Sequence, residues 1–598
     1  MGTPAPSTAL LLAPVLLLFT LPSFAGDVLT HHNDVTRRGA VLDETELTPA
    51  KVQHEFGRLF SYSVDGQVYA QPLFVSALEF DDGAARDVLY VATMRNQVYA
   101  FDASKNAGRE HPLLWTKDLG QPLPFDRIPK DAGAELGAYN IMPYIGVTST
   151  PVIDRARNRM YAVAKVADPH YPCAPNDGSE ATDDCPVYYR LFSFDLKTGD
   201  SKMQEITLPP PLDGESAVSP IPPADAARRE LQRAALLESD GRIYVAFGSH
   251  QDAPPWQGWI FSFDAGTLQP IAQFCTTPGG TEGGIWQAGN GLAADSNGNV
   301  YAATGNGTFV PGQQFGNNLI RLTPGLKIAS WFAPKNVNEL NTYDIDLGSS
   351  GPVLLPDGKV MIASKEGRIY LLKGADPTQR PSTGQGSGFQ PGIQIFQAAR
   401  NWRPRFLALF AWIYPPIFNI GYHHIHGSPV YWRSDKSGPH IYVWPEEDNL
   451  RSYPYEATPG KFDTHPAKGM MGNKGMPGGF LSISANQGKD GVLWASIPCE
   501  DDAWVKIVRG CLYAFDAENV KARPLWSSIE NDRSDYFDFA KDVPPTIANG
   551  RVYMATFSGR INVYGVRPAA PGAKPARVTA DSRKRGHRKG ANGHTMKH

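Results

Sequence analysis

The feature that most constrains this chain is a repeat of short β-type segments. Its unit is two strands joined by a turn, closing on an aromatic residue followed by Asp. Val88-Leu-Tyr-Val-Ala leads to Val98-Tyr-Ala-Phe-Asp102, Arg159-Met-Tyr-Ala-Val-Ala to Leu191-Phe-Ser-Phe-Asp195, and Arg242-Ile-Tyr-Val-Ala to Ile260-Phe-Ser-Phe-Asp264. Cys511-Leu-Tyr-Ala-Phe-Asp516 is a later copy, and Val552-Tyr-Met-Ala with Ile561-Asn-Val-Tyr564 reads as the last. Regular spacing of alternating strands and turns predicts radial β repetition. One four-stranded unit cannot bury both its faces; stacking units around an axis does so, and closing the ring removes most exposed edges. The 58 Gly and 51 Pro are spread along all 598 residues, which suits many turns rather than one linker. Apolar residues at helical spacing are scarce, and Ala224–Leu237 is the one good candidate for an amphipathic helix.

Charge and the chain ends narrow the function classes. Lys and Arg number 57 against 60 Asp and Glu, so no global charge argues for nucleic acid or an acidic membrane as partner. Residues 1–25 read as a signal peptide: Leu10–Leu21 is apolar, and Ser23-Phe24-Ala25 ends in a small-x-small pattern. The mature chain is expected to be secreted or periplasmic, with no membrane span. Cys173 with Cys185 and Cys499 with Cys511 bracket polar loops and fit local disulfides of an oxidising compartment, leaving Cys275 over. No Cys-x-x-Cys-His is present, so no haem is expected. Residues 376–422 interrupt the repeat with a Gly/Pro-rich stretch and the apolar run Phe406–Tyr414, read as a packed loop or a lid. Residues 567–598 are Pro/Ala-rich, then basic, and read as a disordered tail. The repeat domain is thus expected over 26–566.

Four motifs between Gly279 and Leu372 point to chemistry. They are Gly-Gly-Ile-Trp (283–286), Tyr-Ala-Ala-Thr-Gly-Asn (301–306), Tyr-Asp-Ile-Asp (343–346) and Ser-Lys-Glu-Gly-Arg-Ile-Tyr (364–370). Their order resembles the quinone-binding half of the PQQ-dependent alcohol and sugar dehydrogenases. Phe194-Asp195-Leu-Lys-Thr198-Gly199 resembles the motif that docks neighbouring blades in the same family. The resemblance implies an all-β PQQ-type propeller, with eight blades of four antiparallel strands. It implies PQQ and calcium as cofactors, and an alcohol or sugar hydroxyl as substrate. Trp286 would form the floor under the quinone, Asn306 would ligate calcium, Asp344 would be the catalytic base and a second ligand, and Lys365 would touch the quinone edge. Asp346 competes with Asp344 for the base. The chain departs from the family in two places. It has no pair of adjacent cysteines, and the family's second, acidic calcium ligand falls on Ala253, with Asp252 beside it.

Each residue also has a structural role open to it: a blade-core Trp286, a turn Asn306, a capping Asp344 and a solvated turn Lys365. A second constellation is Tyr422-His423-His424-Ile425-His426-Gly427, where strand geometry would put His424 and His426 on one face. Two imidazoles on one face can bind a transition metal, but the sequence identifies no third ligand. His31-His32-Asn33-Asp34, His424-Ile-His426-Gly427 and Gly475-Met-Pro-Gly-Gly479 together resemble an exported subgroup of such propellers, distinct from the well-characterised dehydrogenases. Two other functions fit the same sequence. One is a non-catalytic propeller binding a protein or glycan. The other is a carbohydrate lyase or hydrolase using His423–His426 with Tyr422.

Overall fold

The computed structural model describes residues 26–105, 112–128, 140–170, 185–209, 223–250, 254–374, 393–400, 423–530 and 535–567. The repeat becomes antiparallel sheets as its periodicity demands. Among these residues the strands form eight four-stranded blades of a β-propeller. Blades 1 to 7 span 73–118, 152–206, 237–275, 293–332, 353–397, 430–472 and 480–527. Blade 8 takes three strands from 546–566 and its fourth from Phe56–Ser63 at the other end of the chain, which closes the ring. Burial gives the orientation of each blade. In blade 2 the first strand, Val152–Asp154, is wholly buried, while the fourth, Ser201–Ile206, is mostly exposed. First strands therefore face the axis.

A Tyr on the second strand latches one blade to the next at four places. Tyr90 Oη donates to Leu196 O at 2.8 Å, Tyr161 Oη to Ala265 O at 2.7 Å, Tyr244 Oη to Pro324 O at 3.0 Å and Tyr442 Oη to Ala517 O at 2.9 Å. Each bond runs from the second strand of one blade to a turn of its neighbour. The docking motif acts in the same place. Asp195 Oδ1 accepts the Lys197 and Thr198 amides, shaping the turn whose Leu196 carbonyl also takes Trp115 Nε1 at 3.0 Å.

The N-terminal segment 28–44 runs inside the ring and bonds to every blade. Val28 pairs with Phe74 of blade 1, and Leu29 O accepts Ile153 N of blade 2. Arg37 reaches Leu236 O at blade 3, and Val35 O accepts Ala294 N of blade 4. Thr36 O and Arg38 O take Leu354 N and Tyr431 N of blades 5 and 6. Ala40–Val41 pairs with Ile483–Ser484 of blade 7, and Glu44 Oε2 accepts Gly550 N of blade 8. This segment fills the axis from the side of the turns between first and second strands. A cavity of about 970 Å³ opens on that side, lined by Asp27, Asp34, Asp43, Arg155 and Lys197 among others.

Two expectations need correction, and others fall outside the described residues. The helix expected over Ala224–Leu237 stops early: it spans Pro223–Arg229. Glu230–Leu231 instead pairs with Gly248–Ser249, and Leu237–Ser239 becomes the inner strand of blade 3. Sheet pairing outbids the amphipathic pattern there. His424 and His426 lie outside any strand, although they still converge. Cys499–Cys511 forms the expected disulfide, and Cys275 is a free, buried thiol. Cys185 is disulfide-bonded, but Cys173 lies outside the described residues, as do 1–25, 376–392, 401–422, Asp252, Ala253 and 568–598. Among the described residues no helix is long and apolar enough to cross a membrane.

Candidate active site

The strand plan brings the sequence candidates to one end of the axis. Trp286 and Asp344 precede the inner strands of blades 4 and 5, while Asn306 and Lys365 follow their second strands. Inner and second strands are antiparallel, so the start of one and the end of the other meet at the same end. This is the end opposite the first-to-second turns beside the N-terminal segment. All four candidates therefore gather in one axial recess.

Asp344 is its centre. Lys365 Nζ donates to Asp344 Oδ1 at 2.9 Å and to Asp346 Oδ2 at 2.6 Å, so one ammonium bridges two carboxylates. Asn306 Nδ2 donates to Asp344 Oδ1 at 2.8 Å, and Asn306 N to Asp346 Oδ1 at 2.8 Å. Asn306 Oδ1 accepts from Asn317 Nδ2 at 3.1 Å. Asp344 is ringed by protein yet keeps 53% of its side-chain surface open, whereas Asp346 keeps 6%. The two acids are thereby given different work. Burial pushes Asp344 up, but the Lys365 charge and the hydrogen bonds from Lys365 and Asn306 outweigh it and hold the carboxyl below its usual range. Burial dominates at Asp346, against Lys365 and with help from the Asp344 charge, and its carboxyl is raised. Of the two, the open acid gives up its proton more readily.

Trp286 is half-buried beside this group. Its Nε1 donates to Ser249 O at 2.8 Å, and its ring meets Trp256 edge-on at 5.0 Å between centroids. Gly305 is required beneath it, because a Cβ there would run into both the indole and Asp346. The indole is thus fixed one residue from Asn306. Backbone strain concentrates at the same place: φ is positive at Glu282 (67°), Gln287 (49°), Ala288 (45°) and Asp344 (53°).

The structure adds groups that the motifs did not reveal. Glu282 sits within reach of Asp344 and Asp346, and burial together with those two charges raises its carboxyl. Its sequence signal was an acid inside Gly279-Gly-Thr-Glu-Gly-Gly284, four residues before the Trp. Asn317 and Asn341 lock the Asn306 side: Asn317 Nδ2 also reaches Asn341 Oδ1 at 2.8 Å. Glu446, which follows the second strand of blade 6, is the third group beside His424 and His426. Burial lowers His424 to about 4 and His426 to about 3, so both imidazoles are neutral at physiological pH. His426 is also within electrostatic reach of Lys365, Arg233, Asp344 and Asp502, which ties blades 3, 5, 6 and 7 to one recess.

The donor set suits a quinone held with a hard cation. Carboxylate and amide oxygens are the ligands such ions take, and a half-open indole face suits a flat ring. The Asn306 amide must turn over to present its oxygen beside Asp344, giving up its present bonds to Asn317 and Asp344. Glu282 offers a further acidic oxygen within electrostatic reach of the two aspartates.

No protein-family model matches this chain, and no curated protein matches it in sequence. Solved structures do. Quinohemoprotein alcohol dehydrogenase ADHIIG from Pseudomonas putida superposes with a TM-score of 0.51 at 13% identity, covering 92% of this chain and 82% of that one. Quinohemoprotein alcohol dehydrogenase from Comamonas testosteroni gives a TM-score of 0.49 at 13% identity, covering 91% and 81%. The chain has the eight-bladed quinoprotein-type propeller fold.

Proposed function

We propose that this protein is an exported oxidoreductase that oxidises a hydroxyl group of a small alcohol or sugar in the axial recess. The observation that carries this reading is the meeting of Trp286, Asn306, Asp344 and Lys365 around one open, ionised carboxylate. Oxidising an alcohol needs a base for the hydroxyl proton while hydride leaves the carbon. Asp344 is that base. Lys365 keeps it ionised, and Asn306 and Lys365 fix the direction of its oxygen. Asp346, buried and sharing the same ammonium, holds Lys365 in place when Asp344 takes up a proton. Trp286 would offer the flat platform for the quinone, Asn306 and Asp344 would supply oxygens to its cation, and Lys365 would contact the quinone. When bound, PQQ with calcium supplies the electron acceptor and a Lewis-acidic charge. The propeller fold shared with the Pseudomonas putida alcohol dehydrogenase supports the assignment, and the disulfides support an oxidising compartment.

The test is turnover. Protein incubated with PQQ and calcium should reduce an artificial electron acceptor in the presence of some member of a panel of alcohols and sugars, and Asp344→Asn should not. No turnover with any substrate, or equal turnover by Asp344→Asn, would overturn the assignment.

A further inference from the structure

We propose that His424, His426 and Glu446 form a second metal site, taking a divalent first-row transition ion such as Zn²⁺ or Fe²⁺. It is distinct from the oxygen-donor group at Asp344 and does not depend on the quinone reading. The geometry is the first support. Nδ1 of His424 lies 3.5 Å from Oε2 of Glu446, and Nε2 of His426 lies 3.6 Å from the same oxygen. All three donors fall within 4.8 Å of one another. Bonds of about 2.1 Å in a tetrahedral site put ligand atoms about 3.4 Å apart. These donors are therefore too far apart for good hydrogen bonds and well spaced for an ion between them.

The second support is a set of unpartnered atoms. Two of these donors, Nε2 of His426 and Oε2 of Glu446, are buried without a hydrogen-bond partner, as is Nε2 on the other edge of the His424 ring. Burying such groups unpaired is costly, and an ion between them would satisfy both donors. By contrast, no side-chain donor or acceptor of Asn306, Asp346 or Lys365 is left unpaired in burial. The third support is rigidity. Glu446 N donates to His424 O at 2.9 Å, His423 Nδ1 lies 3.0 Å from Glu446 O, and Asn290 Nδ2 donates to His426 O at 3.3 Å. These bonds pin the loop before blade 6 against the end of its second strand, so the donors are held before any ion arrives.

Two imidazoles and one carboxylate suit zinc, iron or cobalt rather than calcium, and they leave coordination positions open. The open side serves the axial recess, since His424 and His426 both feel Lys365 and Asp344. An ion here would take water or a substrate oxygen close to the proposed base.

Cobalt is the direct probe, because its visible spectrum reports nitrogen and oxygen ligands and coordination number. Chelator-stripped mature protein should bind one equivalent of Co²⁺ saturably, with d–d bands that Zn²⁺ displaces. His426→Ala and Glu446→Gln should each abolish the bands while retaining the far-UV spectrum of the parent. Asn306→Ala should keep them. If His426→Ala fails to fold, His424→Gln supplies the same comparison. No saturable uptake by the parent would overturn the site. Bands that persist in the triad variants would do so as well, because they would place the ion on other histidines, such as His587, His594 and His598 near the C-terminus.

Discussion

Asp344 holds a left-handed backbone conformation, at φ 53°, that few residues other than glycine adopt readily. Such strain costs about 1–3 kcal/mol and persists only where the surroundings over-determine it. Here Lys365 and Asn306 do so. Asn tolerates this conformation well, which makes Asp344→Asn a clean test of the base. It should cut kcat/KM by about 10²–10⁴ while lowering the thermal midpoint only slightly, through the lost Lys365 pairing, as steady-state kinetics and a melt would show. The four candidates were legible in the sequence because each sits in a short motif at a strand end. Glu446 was not, because nothing local marks one Glu among Pro445-Glu-Glu-Asp448 as the partner of a His pair twenty residues earlier. His31 and His32 were legible as polar residues only. They stack at 4.6 Å inside the ring, and both are buried. Burial holds His31 well below its ordinary value and His32 at about 4. The unfolded chain therefore binds protons that the folded chain refuses. Stability should be full above about pH 6.5 and fall as pH drops toward 4, by up to about 1.4 kcal/mol per unit for each group. Urea unfolding across that range should show the slope, and His31→Leu should reduce it, with the other buried histidines supplying the rest.

At the scale of elements, the strand repeat carried its own explanation. The recurring Tyr in Leu89-Tyr90, Met160-Tyr161 and Ile243-Tyr244 marks inter-blade latches as well as β propensity. Each Tyr→Phe change should cost about 1 kcal/mol, read as a shifted denaturation midpoint with an unchanged slope. Distant latches such as Tyr161 and Tyr442 should add, because they share no partner. The strands were readable from alternation and turns. The short helices were not: Pro49–Glu55 and Val337–Thr342 are too brief for a helical period to stand out.

The whole molecule is organised by a segment whose role the sequence hides. Residues 28–44 touch all eight blades mainly through main-chain bonds, and main-chain bonds leave no side-chain pattern to read. Glu44 and, above all, Arg37 contribute side-chain bonds as well. Its guanidinium is buried and donates to Leu292 O at 2.8 Å, Thr30 Oγ1 at 2.6 Å, His31 O at 2.7 Å and Leu236 O at 3.0 Å. Burial draws it down to about 10, with Asp34 opposing, so it stays charged. Arg37→Met would strand those acceptors and should destabilise by about 3 kcal/mol or more, measured by urea unfolding.

The proposed occupants of this recess are a quinone and a cation. The direct measurement is thermal unfolding of the mature protein alone and with excess PQQ plus calcium. At one hundred times its dissociation constant a ligand adds about 2.7 kcal/mol, which raises the midpoint clearly. That rise is expected in the parent and should be lost in Trp286→Ala and Asn306→Ala. An unchanged midpoint at saturating PQQ and calcium would contradict it.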